Sequence, residues 1–182
     1  LGALIGEPDR PFTAILGGAK VSDKIEILET LVSHVDSVLI GGAMAYTFLA
    51  AEKIEVGASR VEKDMIPTAE RILALARERR VSVLLPSDHL TVEKFEATAT
   101  SKVETGRISP GRMGVDVGPA TVRAFSDQIA KSGTIFWNGP LGVFEMEPFA
   151  QGTLAVAKAL AASKAKTGVG GGDSAAAVEL MG

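Results

Sequence analysis

The chain has 182 residues, 46% of them apolar, a formal charge of −3 and no cysteine. That suits one globular domain with a real core. It excludes a disulfide framework and thiolate chemistry, a strongly basic nucleic-acid surface and, since no apolar run nears the roughly 20 residues that span a bilayer, a transmembrane helix.

The opening LGALIGEPDRPF lacks the charged start of a signal peptide, so the expectation is a cytoplasmic protein, and it lacks an initiator Met, so a fragment of a longer chain is expected. FTAIL (12–16) reads as a buried strand that runs through Gly17-Gly18 into a helix over 21–35, where Ile25, Leu28, Leu31, Val32 and Val35 share one face. SVLIGG (37–42) is the next strand and AMAYTFLAAEK (43–53) the next helix. Residues 62–80 place Met65, Ile66, Ala69, Ile72, Leu73 and Ala76 on one helical face, with Pro67 suited to its first turn. VSVLLP (81–86) is a strand, 91–114 a less regular excursion, and GVDVG (114–118) a short strand. A helix follows over 119–132, then strand GTIFW (133–137), loop NGPLGVFEMEP, and a helix over 149–163. AKTGV (165–169) is one more strand, polar for a buried one and expected to be short or frayed, and DSAAAVELM (173–181) the last helix.

Alternating strands and helices with short connections predict a single α/β domain over 1–182: a Rossmann-like parallel sheet of about five or six strands with helices on both faces. Ligands of such sheets sit outside the carboxyl ends of the strands. The glycine clusters fall there: Gly17-Gly18, Gly41-Gly42, Gly118, Gly139 and Gly170–Gly172.

GVGGGDSAAA (168–177) joins a strand, a glycine turn and a helix start, the makings of an anion site. Two readings fit. Asp173 or Ser174 caps the helix with no ligand, or Mg²⁺ bridges Asp173 to phosphate oxygens, relieving the repulsion between acid and phosphate. LGGAKVSDK (16–24) has the same form with Lys20 just past the turn and Lys24 one helical turn later. Either both lysines are solvated, with Asp23 nearby, or they meet an anion that outweighs the unfavourable helix dipole. In WNGPLGVFE (137–145), Asn138 can bond a ligand or its own backbone, and Glu145 can accept from ribose hydroxyls or stand as plain surface. Trp137 reads as core, His34 and His89 as structural, and Asp88 and Asp116 as unpaired candidates.

In order along the chain, LGGAKVSDKI, IGGAMAYTFL, GVDVGPATV, WNGPLGVFE, QGT and GGGDSAAAV closely resemble the nucleotide-binding, C-terminal half of phosphoglycerate kinase, and the resemblance covers essentially the whole chain. It implies reversible phosphoryl transfer between 1,3-bisphosphoglycerate and ADP, giving 3-phosphoglycerate and Mg-ATP, as in glycolysis. It also implies site roles. Lys20 meets the transferring phosphoryl group and Lys24 holds nucleotide phosphates, with Asn138 near them. Gly18, Ala19, Gly42, Gly114 and Val143 line the adenine slot, and Glu145 binds the ribose. Asp173 holds Mg²⁺, while Gly171, Gly172 and Ser174 turn around the phosphate chain. The phosphoglycerate belongs to an N-terminal domain that these residues do not resemble. The chain therefore reads as part of a monomeric two-domain kinase, inactive by itself; the alternative is a stand-alone Mg-nucleotide module without catalysis. Three departures stand out: Ala43 for a glycine, Arg60 for an apolar residue near the base, and His89 for an aliphatic one.

Overall fold

The computed structural model describes residues 6–170. Its strands are β1 (Phe12–Leu16), β2 (Ser37–Ile40), β3 (Ser82–Leu84), β4 (Asp88–Val92), β5 (Ser101–Thr105), β6 (Met113–Val117), β7 (Thr134–Asn138) and β8 (Lys166–Gly170). Its helices are α1 (Ile25–Val32), α2 (Met44–Ala51), α3 (Ile66–Glu78), α4 (Pro119–Ala130) and α5 (Gln151–Ala162). Five strands form a parallel sheet in the order β3-β2-β1-β7-β8.

Side-chain alternation along the strands separates two apolar layers. Phe12, Ala14 and Leu16 of β1, with Val38 and Ile40 of β2, pack against Leu28, Phe48 and Ile72 of α1, α2 and α3. Ile15, Leu39, Ile135 and Trp137 point the other way, onto Phe125 and Ile129 of α4 and Val156 and Leu160 of α5. These strands are covered on both faces, which is why they read as continuous apolar runs. Helices on both faces of a five-stranded parallel sheet match the expected fold class.

Pro67 sits in the first turn of α3, where a missing N–H costs nothing. The helix expected over 21–35 is α-helical only from Ile25 to Val32, after a short 3₁₀ turn at Val21–Asp23. β8 is not frayed: it pairs with β7 from Thr134–Lys166 to Asn138–Gly170. Its polar residues reflect its place at one margin of the described sheet, where side chains meet water.

The larger difference lies between residues 85 and 118. The apolar run at 81–86 yields a strand of only three residues, and the supposed excursion holds a second, antiparallel sheet in the order β5-β4-β6. The strand expected at 114–118 forms at Met113–Val117, but it pairs with β4 and stays out of the parallel sheet.

Candidate active site

Chain order reverses between β1 and β7, so the sheet has its switch point there, and the carboxyl ends of these strands open the crevice where α/β proteins bind ligands. Backbone bonds lock three turns together at this point. Gly17 N donates to Asn138 O (2.9 Å), Gly18 N to Pro140 O (3.0 Å), Gly42 N to Leu141 O (3.0 Å) and Met44 N to Gly18 O (3.0 Å). The chains approach so closely that a Cβ on Gly17 would lie 2.0 Å from Pro140 O, and one on Gly139 2.1 Å from Gly17 O. These glycines are thus accounted for by contact between turns. Gly139 has in addition a φ of 97°, while at Gly18 the φ of 117° is the main demand for glycine, since an added Cβ would meet nothing closer than Lys24 Cε at 3.4 Å.

A cleft of about 540 Å³ opens beside this platform, within the usual size range for small-molecule sites. Gly18, Ala19, Gly42, Gly114, Val143 and Glu145, all six residues expected at base and ribose, line it. β6 forms the facing wall through Met113, Gly114 and Val115. Gly114 leaves room for Tyr46, whose hydroxyl would lie 2.0 Å from an added Cβ. Phe95, in the β4–β5 connection, completes the outer wall and is 52% exposed. Sequence reasoning missed Tyr46, Met113 and Phe95. A single aromatic in the otherwise polar stretch TVEKFEATATSK was the available signal for Phe95.

A second groove of about 420 Å³ is lined by Lys24 and Asn138 together with Asp23 and Glu26. The Lys24 ammonium donates to Asn138 Oδ1. Since Gly18 lines the cleft and also stands next to Lys24, it joins the two spaces. Lys20 is exposed and lines neither. β8 brings the chain to the same end of the sheet at Gly170, opposite Asn138. The expected Gly171, Gly172, Asp173 and Ser174 lie outside the described residues. Among the described residues no cluster of three His, Cys, Asp or Glu forms a metal site.

The two buried aspartates are not unpaired. Asp88 reaches from β4 to the start of α4, where its carboxylate accepts from Ala120 N (2.9 Å), Thr121 N (2.9 Å) and Thr121 Oγ1 (2.7 Å). It is a helix cap supplied from 32 residues away in sequence. Burial pushes its pKa up, but the Thr121 hydroxyl and the two amides outweigh that and hold it below the ordinary carboxylate value. Asp116 of β6 accepts from Gly152 N at the start of α5 (2.9 Å) and from Val117 N (2.8 Å). Burial dominates there and pushes its pKa up to about 7. Burial, and then the nearby Asp116 charge, also hold the Tyr46 hydroxyl above its ordinary value. His89 is buried beside Tyr46, with ring centroids 5.8 Å apart, and its Nε2 faces Gly106 O at 3.1 Å. Burial lowers its pKa, favouring the neutral ring of a structural residue.

The model of the family described as phosphoglycerate kinase matches residues 1–182. The phosphoglycerate kinase of Anaeromyxobacter sp. (strain K) is 52% identical over 183 residues, covering 100% of this chain and 46% of that protein. The phosphoglycerate kinase of Clostridium botulinum (strain Alaska E43 / Type E3) is 49% identical over 182 residues, with the same coverage. The solved phosphoglycerate kinase from Coxiella burnetii superposes with a TM-score of 0.96 at 39% identity, over 99% of this chain and 47% of its own. The enzyme from Pyrococcus horikoshii OT3 gives 0.85 at 31% identity, over 100% and 46%. The chain thus spans about half the length of the relatives it matches.

Proposed function

The chain belongs to the phosphoglycerate kinase family, and on that premise we propose that it is the half of such a kinase that holds the nucleotide, serving phosphoryl transfer between 1,3-bisphosphoglycerate and ADP. In that reaction an oxygen of the ADP β-phosphate attacks the acyl-phosphate phosphorus. The bond from phosphorus to the carboxyl oxygen breaks, and 3-phosphoglycerate leaves as a carboxylate while ATP forms. The protein contributes position and charge, with little covalent work.

One observation carries this reading. The residues suited to base and ribose line a single cleft, and across Gly18 it adjoins the groove of Lys24 and Asn138. A nucleoside diphosphate has that layout, with a flat apolar base at one end and an anionic chain at the other. In the proposal Glu145 accepts from the ribose hydroxyls, Lys24 pairs with phosphate oxygens, and Asn138 orients them. Lys20, exposed beside the turn, is free to meet the transferring phosphoryl group. Mg²⁺ would be held by Asp173 and would neutralise phosphate charge. Phosphoglycerate would be held outside these residues, in the part of the relatives that this chain does not span.

Calorimetric titration of this chain with ADP and Mg²⁺ tests the reading. Glu145→Ala should weaken ADP by roughly 1–3 kcal/mol, the scale for losing hydrogen bonds to a charged group, and leave inorganic phosphate nearly unchanged. Equal losses for both ligands would remove Glu145 from the ribose. In a full-length kinase, Lys20→Ala should lower kcat far more than it weakens ADP, because its contact forms chiefly in the transition state.

A further inference from the structure

The segment carrying Arg60 is pinned on both sides. Ser59 Oγ accepts from Gly114 N (2.9 Å), while Glu62 N donates to Thr47 Oγ1 (3.1 Å) and the Glu62 carboxylate accepts from Ser22 Oγ (2.8 Å). Between these anchors Arg60 lines the cleft. Its side chain is exposed and, among the described residues, makes no hydrogen bond or ion pair, although Glu145 lines the same cleft. A pinned backbone thus presents an unpartnered arginine to a cleft that Ala58, Phe95 and Met113 also line.

We propose that Arg60 is a base-binding residue: its guanidinium lies flat on one face of a purine, giving purine nucleotides an advantage over pyrimidine ones without choosing between amino and oxo purines. This rests on the reading of the cleft as a nucleotide site. The choice of face over edge follows from the chemistry of the group. All five guanidinium donors lie in its plane, at the rim, while its faces are weakly hydrated and stack on π-systems. Stacking covers the faces and leaves the rim donors in water. Hydrogen bonding to a base edge would instead exchange water for base at an exposed position, with little net gain. The larger ring system of a purine offers more surface to the plane than a pyrimidine. Reading an amino or oxo group would need a polar side chain aimed at the base edge. Of the other polar side chains lining the cleft, Tyr46 is buried with its hydroxyl against Gly114, and Glu145 is assigned to the ribose.

The test is calorimetry of this chain with ADP, GDP, UDP and pyrophosphate, for the native sequence and for Arg60→Ala, Arg60→Lys and Glu145→Ala. Arg60→Ala should weaken ADP and GDP alike, by roughly 3- to 30-fold, leave pyrophosphate within about twofold and narrow the gap between ADP and UDP. Lysine keeps the charge without the plane, so Arg60→Lys should recover only part of the loss. An equal loss for pyrophosphate would assign Arg60 to the phosphates and overturn the proposal. A loss for GDP alone would overturn it in favour of edge recognition. If Glu145→Ala weakens ADP and Arg60→Ala does not, the stacking role falls while the nucleotide cleft stands. If ADP binds and neither variant affects it, both fall.

Discussion

Strands β1 and β2 of the parallel sheet are buried along their whole length, whereas β5 of the antiparallel sheet leaves four of its five residues exposed. The first sheet is held by apolar layers on both faces; the second combines one apolar cluster, Val92 and Val115 with Phe149, with polar contacts toward the exposed β5. Half-buried Arg112 binds Thr91 through Oγ1 (2.9 Å) and O (2.8 Å) and lies 3.5 Å from Glu93 and 3.9 Å from Glu104. Glu104 in turn takes the Ser109 hydroxyl. The cleft lies between these two constructions. Its floor belongs to the turns of the parallel sheet and its facing wall to the antiparallel one. One side therefore rests on apolar burial over both faces, the other on a smaller apolar cluster supplemented by directional contacts in partial contact with water.

Substitutions of falling effect probe that contrast, each read by urea unfolding of this chain. Trp137, fully buried, packs in the second apolar layer, and its indole N–H donates to Gly139 O (2.8 Å). Trp137→Ala should cost about 3–5 kcal/mol. A cost below 1 kcal/mol would mean that the parallel sheet does not depend on its core.

Next is the pH response of Asp116. Its carboxyl titrates near 3.8 ordinarily and near 7 in the fold. Between those values the native state keeps a proton that the unfolded chain has released. The stability it contributes is complete below pH 4 and is lost as pH rises to about 7, a change on the order of 4 kcal/mol. The difference in stability between the native sequence and Asp116→Asn should therefore vary between pH 4 and 7 and stay flat from 7.5 to 9. Parallel profiles would show that the carboxylate is buried at no cost.

Asp88→Ala should lose about 2 kcal/mol, since it removes the cap of α4 and strands buried donors. A loss under 0.5 kcal/mol would show that the tie between antiparallel sheet and helix is ornamental. The smallest effect belongs to Val103 of β5, 48% exposed. Val103→Ala should change stability by less than about 0.5 kcal/mol, and a loss matching that of Trp137→Ala would erase the contrast.

The same contrast decided what the amino-acid order could disclose. β1, β2 and β7 announce themselves because a strand buried on both faces must be apolar throughout, and α3 because its apolar residues recur at helical spacing. β5 shows neither pattern, since four of its five residues are exposed, so its stretch reads only as a less regular excursion. The role of Asp88 was hidden for another reason: its partners Ala120 and Thr121 are far off in sequence, and no local rule pairs them. The glycine turns mark the end of the sheet where the cleft opens, although Gly17 and Gly139 also serve close contact between turns. Resemblance named six residues that prove to share one cleft; Phe95 and Tyr46 became visible only when the antiparallel sheet and its β4–β5 connection were placed beside the glycine turns.

The floor of that cleft is bound together chiefly by main-chain atoms, through Gly17, Gly18, Gly42 and Met44 bonding to Asn138, Pro140, Leu141 and Gly18. A main-chain floor is indifferent to which side chains surround it, provided the glycines persist. Evolutionary change in ligand preference is thereby channelled to the rim, where Arg60, Phe95, Val143 and Glu145 can be exchanged one at a time. The protein can revise what it recognises without renegotiating how it folds.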